Sequence, residues 1–140
     1  MSEYRIHEGN FELPDGWVDQ TINVFPNSPS SPADFSVVIT RDNAYANETL
    51  QDYFERQIKQ LPDSLPGFKE LRRGELTVGE KKAVDIEYTW VGKGKKMHLR
   101  QVCLMLEKLI FNITATAVAP HFPKNAAQFD QILNSFKFSE

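Results

Sequence analysis

Residues 83–118, AVDIEYTWVGKGKKMHLRQVCLMLEKLIFNITATAV, decide the fold. Strand-forming segments here are broken at Gly92-Lys93-Gly94 and at Glu107-Lys108, short turns that carry glycine or charge. The stretch reads as a meander of Ala83 to Val91, Lys96 to Leu106 and Leu109 to Val118, preceded by Phe68 to Leu76 through a turn near Gly79-Glu80. Both faces of the segment from Lys96 are apolar. Met97, Leu99, Cys103 and Met105 share one side with Gln101, while Val102, Leu104 and Leu106 share the other. An antiparallel strand with two apolar faces must be covered on both, by helices, a second subunit or a partner.

Working outward, Tyr4 to Leu13 reads as a short strand entering the turn Pro14-Asp15-Gly16. Trp17 to Phe25 then alternates, with Val18, Gln20, Ile22 and Val24 on one face. Asn27 to Asp34, with its prolines and serines, is a loop, and Phe35 to Arg41 is again a strand. A helix over Glu48 to Leu61 is capped at Asn47 and stopped by Pro62; a last helix covers roughly Lys124 to Phe136, with Pro123 suited to its first turn. Strands, a helix, more strands and a helix imply an α+β fold, a largely antiparallel sheet with packed helices. No repeat or linker divides the chain, so residues 1–140 are expected to form a single domain.

Two glutamines break the apolar pattern. In the first helix Leu50, Tyr53, Phe54, Ile58 and Leu61 recur at helical spacing, and Gln57 points with Leu50 and Leu61. Gln101 does the same within its strand. An amide on an apolar face must find a hydrogen bond or cost stability. It is either paired with nearby groups or partly exposed, or it belongs to an apolar surface built to hold a partner with a few polar groups.

Composition narrows the function. A net charge of -3 argues against a dedicated nucleic-acid binder. The opening residues Met1 to Gly9 lack an apolar signal segment, and no run is long enough to cross a bilayer, so a cytoplasmic protein without membrane insertion is expected. The lone Cys103 allows no internal disulfide, and the three histidines form no metal motif. No metal or cofactor is expected. His98 and Cys103 differ by an odd number of strand positions, so they face opposite sides and make no nucleophilic pair. Asp85 and Glu87 read as a solvated outer face, and Arg72-Arg73, Lys81-Lys82 and Lys93 to Lys96 as solubilising charge near turns.

Several spaced segments are similar to one family. They are Tyr4-Arg5-Ile6-His7-Glu8-Gly9-Asn10-Phe11-Glu12-Leu13-Pro14-Asp15-Gly16-Trp17, Phe35-Ser36-Val37-Val38-Ile39-Thr40-Arg41-Asp42, Leu65-Pro66-Gly67-Phe68 and His98-Leu99-Arg100-Gln101. Over about Tyr4 to Phe138 the chain resembles the DcrB-related family (DUF1795), most closely its cytoplasmic Eag chaperones of type VI secretion effectors. The resemblance implies a PsbP/Mog1-like fold, a homodimer and no enzymatic activity. It also implies an adaptor that shields the hydrophobic N-terminal transmembrane segments of an effector bearing a PAAR-type tip domain before loading on the spike. The effector-binding face it implies comprises Ile22, Val24, Val38, Gln57, Leu61, Met97 and Gln101. Ile22, Val24 and Val38 would supply apolar contact, Leu61 and Met97 the rim, and the two glutamines polar anchoring. The alternative is a Mog1-like regulatory module that docks a folded protein such as a small GTPase. A third reading, a small-molecule enzyme using His98 with Glu87, would need a closed pocket holding both.

Overall fold

The computed structural model describes residues 1–29 and 34–139; of the loop read at Asn27 to Asp34, Ser30 to Ala33 lie outside them. The chain order is β1 (Ser2–Ile6), β2 (Gly9–Leu13), β3 (Asn23–Pro26), β4 (Ser36–Asn43), α1 (Leu50–Ser64), β5 (Lys69–Val78), β6 (Lys81–Gly92), β7 (Lys95–Leu106), β8 (Leu109–Val118) and α2 (Phe122–Asn134). A single 3-10 turn, Ala119–His121, precedes α2. β1 and β2 form a hairpin of their own, and the remaining strands make a six-stranded sheet in the order β3-β4-β8-β7-β6-β5. Every pairing is antiparallel.

This order follows from the connections. After β4 the chain crosses the sheet through α1 to the far edge, and the meander β5-β6-β7-β8 then walks back to pair with β4. Tight turns fix the meander's register. Gly79 and Glu80, and Lys93 and Gly94, all have positive φ, the mirror-image turn whose twist suits a two-residue hairpin. Gly79 is also sterically required, since a Cβ there would lie 2.6 Å from the Phe138 ring.

The doubly apolar β7 is covered on both sides within the chain. Val102 and Leu104 join Val37, Ala83, Phe111, Ile113 and Phe129 in the core beneath α2. Cys103 lies with Val84, Ile86 and Tyr88 beneath Tyr53, Phe54 and Ile58 of α1. Cys103 is fully buried, and burial pushes its thiol up to about 12, as expected of a small apolar side chain.

Four expectations need correction. Trp17 to Phe25 is a strand only from Asn23, because no described strand pairs with the preceding residues to hold them extended. Tyr4 to Leu13 is a hairpin turning at His7-Glu8, where two polar residues interrupt the pattern. The cap of α1 is Thr49 rather than Asn47: the Thr49 hydroxyl accepts the Asp52 N–H while the Asp52 carboxylate accepts the Thr49 N–H. Asn47 instead takes a left-handed turn conformation. Pro62 falls inside the last turn of α1, which runs on to Ser64.

Candidate functional site

α1 backs only part of its side of the sheet. Its packing partners come from β6, β7 and Ile110 of β8. The same face continues past the helix onto β8, β4 and β3, where side chains are half-buried or exposed. Register defines the rows of this shelf. Val24 is opposite Val38, Val38 opposite Thr114, Thr114 opposite Gln101 and Gln101 opposite Ile86. A second row runs through Pro26, Ser36, Thr116 and Leu99. Val24 is 58% exposed, and Val38, Ser36, Thr40, Thr114, Thr116 and Gln101 are half-buried.

The wall of the shelf is one flank of α1. The Tyr53 hydroxyl donates to Asp42 of β4 at 2.6 Å, whereas Arg73 of β5 donates to Glu55. The flank carrying Tyr53 therefore faces β4 and β8. Gln57 and Leu61 follow Tyr53 at successive four-residue steps and belong to that flank. Burial first, and then Asp42, pushes the Tyr53 hydroxyl above its ordinary range, so it remains a donor.

Of the seven residues assigned to the binding face, Val24, Val38 and Gln101 share one cross-strand row. Met97 stands four positions before Gln101 on the same side of β7, opposite Val118. On α1, Gln57 is half-buried and Leu61 packs against the cluster beneath that helix. Ile22 lies just outside β3, 60% exposed and without a strand partner. It is flanked by residues that Arg41 holds, the guanidinium donating to the Thr21 carbonyl at 3.1 Å and to the Asn23 side chain at 2.6 Å.

The two glutamines differ. Gln101 donates a long hydrogen bond of 3.4 Å to Asn112, so its amide has found a partner. Gln57 is half-buried and bonds to no described residue. Gln101 thus fits the reading of a paired amide and Gln57 that of a partly exposed one.

The hydroxyls of Ser36, Thr40, Thr114 and Thr116 were not singled out from sequence. Their signal was present: Asn112, Thr114 and Thr116 alternate with buried Ile113, Ala115 and Ala117, which places the polar set on the face away from α2.

The opposite face holds a surprise in charge. Asp85 is 2% exposed, which overturns its reading as part of a solvated face; α2 covers it, and the chain supplies the compensating cations. Its carboxylate accepts from Arg72 at 2.8 Å and from Arg100 at 2.9 Å. Arg100 also donates to Asp130 of α2 at 2.7 Å, and Arg72 to Glu87 at 3.2 Å. Arg72 and Arg73 accordingly lie within β5, paired, rather than at a turn. Glu87 meets His98 at 2.6 Å, and the imidazole stacks on Phe122 with ring centres 3.8 Å apart. Glu87 and His98 do line one cleft, about 320 Å³ and open to solvent, with Arg72, Arg100 and Asp130. The charged groups lining it bond to one another.

Comparison with known proteins now places the molecule. Its architecture is the α+β fold of PsbP from Synechocystis sp. PCC 6803 (TM-score 0.59, 12% identity, 99% of this chain and 92% of that one). It is equally that of the Ran-binding protein Mog1p of Saccharomyces cerevisiae (TM-score 0.54, 13% identity, 91% and 82%). A much nearer structure is a Pseudomonas aeruginosa protein of unknown function, PA94, with TM-score 0.82 and 30% identity over 100% of this chain and 98% of that one. In sequence the chain is 33% identical over 136 residues to effector EagT6 of Pseudomonas aeruginosa, spanning 96% of this chain and 94% of that protein. The DcrB family model matches residues 8–135. The chain belongs to the DcrB family and is of the Eag type.

Proposed function

We propose that this chain is a non-enzymatic cytoplasmic chaperone or adaptor of a type VI secretion effector. It shields the effector's hydrophobic N-terminal transmembrane segments before the PAAR-bearing client is loaded on the spike, and it works as a homodimer. The observation that carries the reading is the uncovered shelf beside α1, an apolar floor of Val24 and Val38 set with hydroxyls and amides. The likeness to EagT6 along nearly the whole chain supports it. No described helix is long and apolar enough to cross a membrane.

The chemistry suits such a client. A membrane-spanning helix in water exposes apolar surface along about 30 Å and needs it masked. Such helices pack through Gly, Ala, Ser and Thr, leaving hydroxyls and carbonyls that want partners. Short threonine and valine side chains let a helix approach closely, and the Gln57 amide, which bonds to no described side chain, can bond its polar groups.

The test is Gln57→Ala combined with Gln101→Ala. Circular dichroism should be unchanged while effector recovery in co-purification falls several-fold. A charge at Ile22, as in Ile22→Asp, should abolish capture, since a carboxylate facing a transmembrane helix is disfavoured by about 2.5 kcal/mol or more. Undiminished capture by both variants would remove the shelf from the account.

A further inference from the structure

The β1–β2 hairpin poses a separate problem of cover. Its strands bond to each other and to no strand of the larger sheet. Alternation sorts its side chains cleanly: Tyr4, Ile6, Phe11 and Leu13 share one face, and Glu3, Arg5, Asn10 and Glu12 the other. The Tyr4 and Phe11 rings meet at 5.9 Å on the apolar face, and Glu3 lies directly opposite Glu12 on the polar one. An isolated hairpin is marginal in water, and a like-charge cross-strand pair weakens it further. Yet Phe11 remains 43% exposed and Ile6 48%, and the chain continues into Trp17 and Val18, 68% and 74% exposed.

We infer that the apolar face of the hairpin, with Trp17 and Val18, is the surface through which two copies of this chain associate. This deepens the homodimer part of the proposed function and rests on it. Three features select a second copy as the occupant. The surface needs cover whether or not a client is present, and only another copy is always at hand. The hairpin's apolar face carries no charge, and Glu3, Arg5 and Glu12 are on the reverse, so that face meeting its own image brings no like charges together. The exposed area is of the right order: Ile6, Phe11, Trp17 and Val18 together leave on the order of 500 Å² per copy, against about 800 Å² per partner in a standard interface. The outer β5 edge makes the opposite case, guarded by Lys69, Glu70, Arg72, Arg73 and Glu75 and by an irregularity between Glu70 and Arg72.

Light scattering coupled to gel filtration, on the full chain across a dilution series, tests this. The unaltered chain should elute at twice its 16.1 kDa mass. Phe11→Glu, and separately Trp17→Glu with Val18→Lys, should weaken association about tenfold or more and yield monomer. The second variant leaves the hairpin's own pairing intact, so loss of the hairpin cannot account for its effect. Gln57→Ala with Gln101→Ala should stay dimeric. A dimer that survives both surface variants would overturn the assignment of this surface while leaving the dimer itself standing. An unaltered chain that is monomeric throughout would overturn the dimer and the inference together. Loss of effector capture without loss of dimer in the hairpin variants would assign the surface to the client instead.

Discussion

Asp85 shows what a single buried charge does here. It holds Arg72 and Arg100 at once, and through Arg100 it ties the sheet to Asp130 of α2. Removing it leaves Arg100, itself 15% exposed, facing an apolar layer with only an exposed partner. Asp85→Ala should cost about 2–3 kcal/mol, below the usual range for a broken buried pair because Arg72 is half in solvent. Urea denaturation measures it, and a loss under about 0.5 kcal/mol would contradict the assigned role. Cys103 offers a second check. With its thiol pushed up to about 12 by burial, it should resist a thiol reagent near pH 8 until the chain unfolds. Rapid labelling of the folded protein would refute that packing. Neither role could be foreseen with equal ease. Cys103 sits in an apolar run that announces burial, whereas Asp85 alternates with residues that look solvated. Its partners on β5, β7 and α2 come from distant parts of the chain.

At the scale of elements, α1 is the wall of the shelf, and its entrance is fastened by Glu48 and Arg56. The Arg56 guanidinium donates twice to Glu48, at 2.8 and 2.9 Å, and stacks over Tyr45. Hydrogen bonding from Arg56, with help from the Tyr45 N–H, holds the Glu48 carboxyl at about 2, well below its ordinary 4.5. A folded-state value below the unfolded one stabilises the fold above pH 4.5 and loses that contribution as pH falls toward about 2. Melting temperature should therefore fall on acidification through this window, and Glu48→Gln should flatten that part of the profile. An unchanged acid limb in the variant would mean the clasp contributes nothing. Elements with strong periodicity were legible in the sequence: β8 was read with its observed limits, and α1 and α2 within a few residues. The strand expected over Trp17 to Phe25 was not, because an alternating pattern forms a strand only where a neighbouring strand pairs with it.

For the whole molecule, the sequence asked whether β7 is covered on both faces, and the answer is that two helices do so. That moves the uncovered apolar surface away from β7 to the β8-β4-β3 end and to the N-terminal hairpin. Which residues meet across strands was not legible from periodicity, which fixes faces within a strand but not the alignment between strands. The row Val24, Val38, Thr114 and Gln101 comes from the crossover of α1, which lets β8 pair with β4. The shelf predicts binding of a hydrophobic segment, while a folded partner such as a GTPase would require a surface with ordinary polar rim chemistry. The most direct measurement is co-expression of the tagged chain with its effector, full-length or lacking the N-terminal hydrophobic segments. The account predicts that the full-length effector becomes soluble and co-purifies while the truncated one does not. Equal recovery of the truncated effector would contradict it and leave docking to a folded domain.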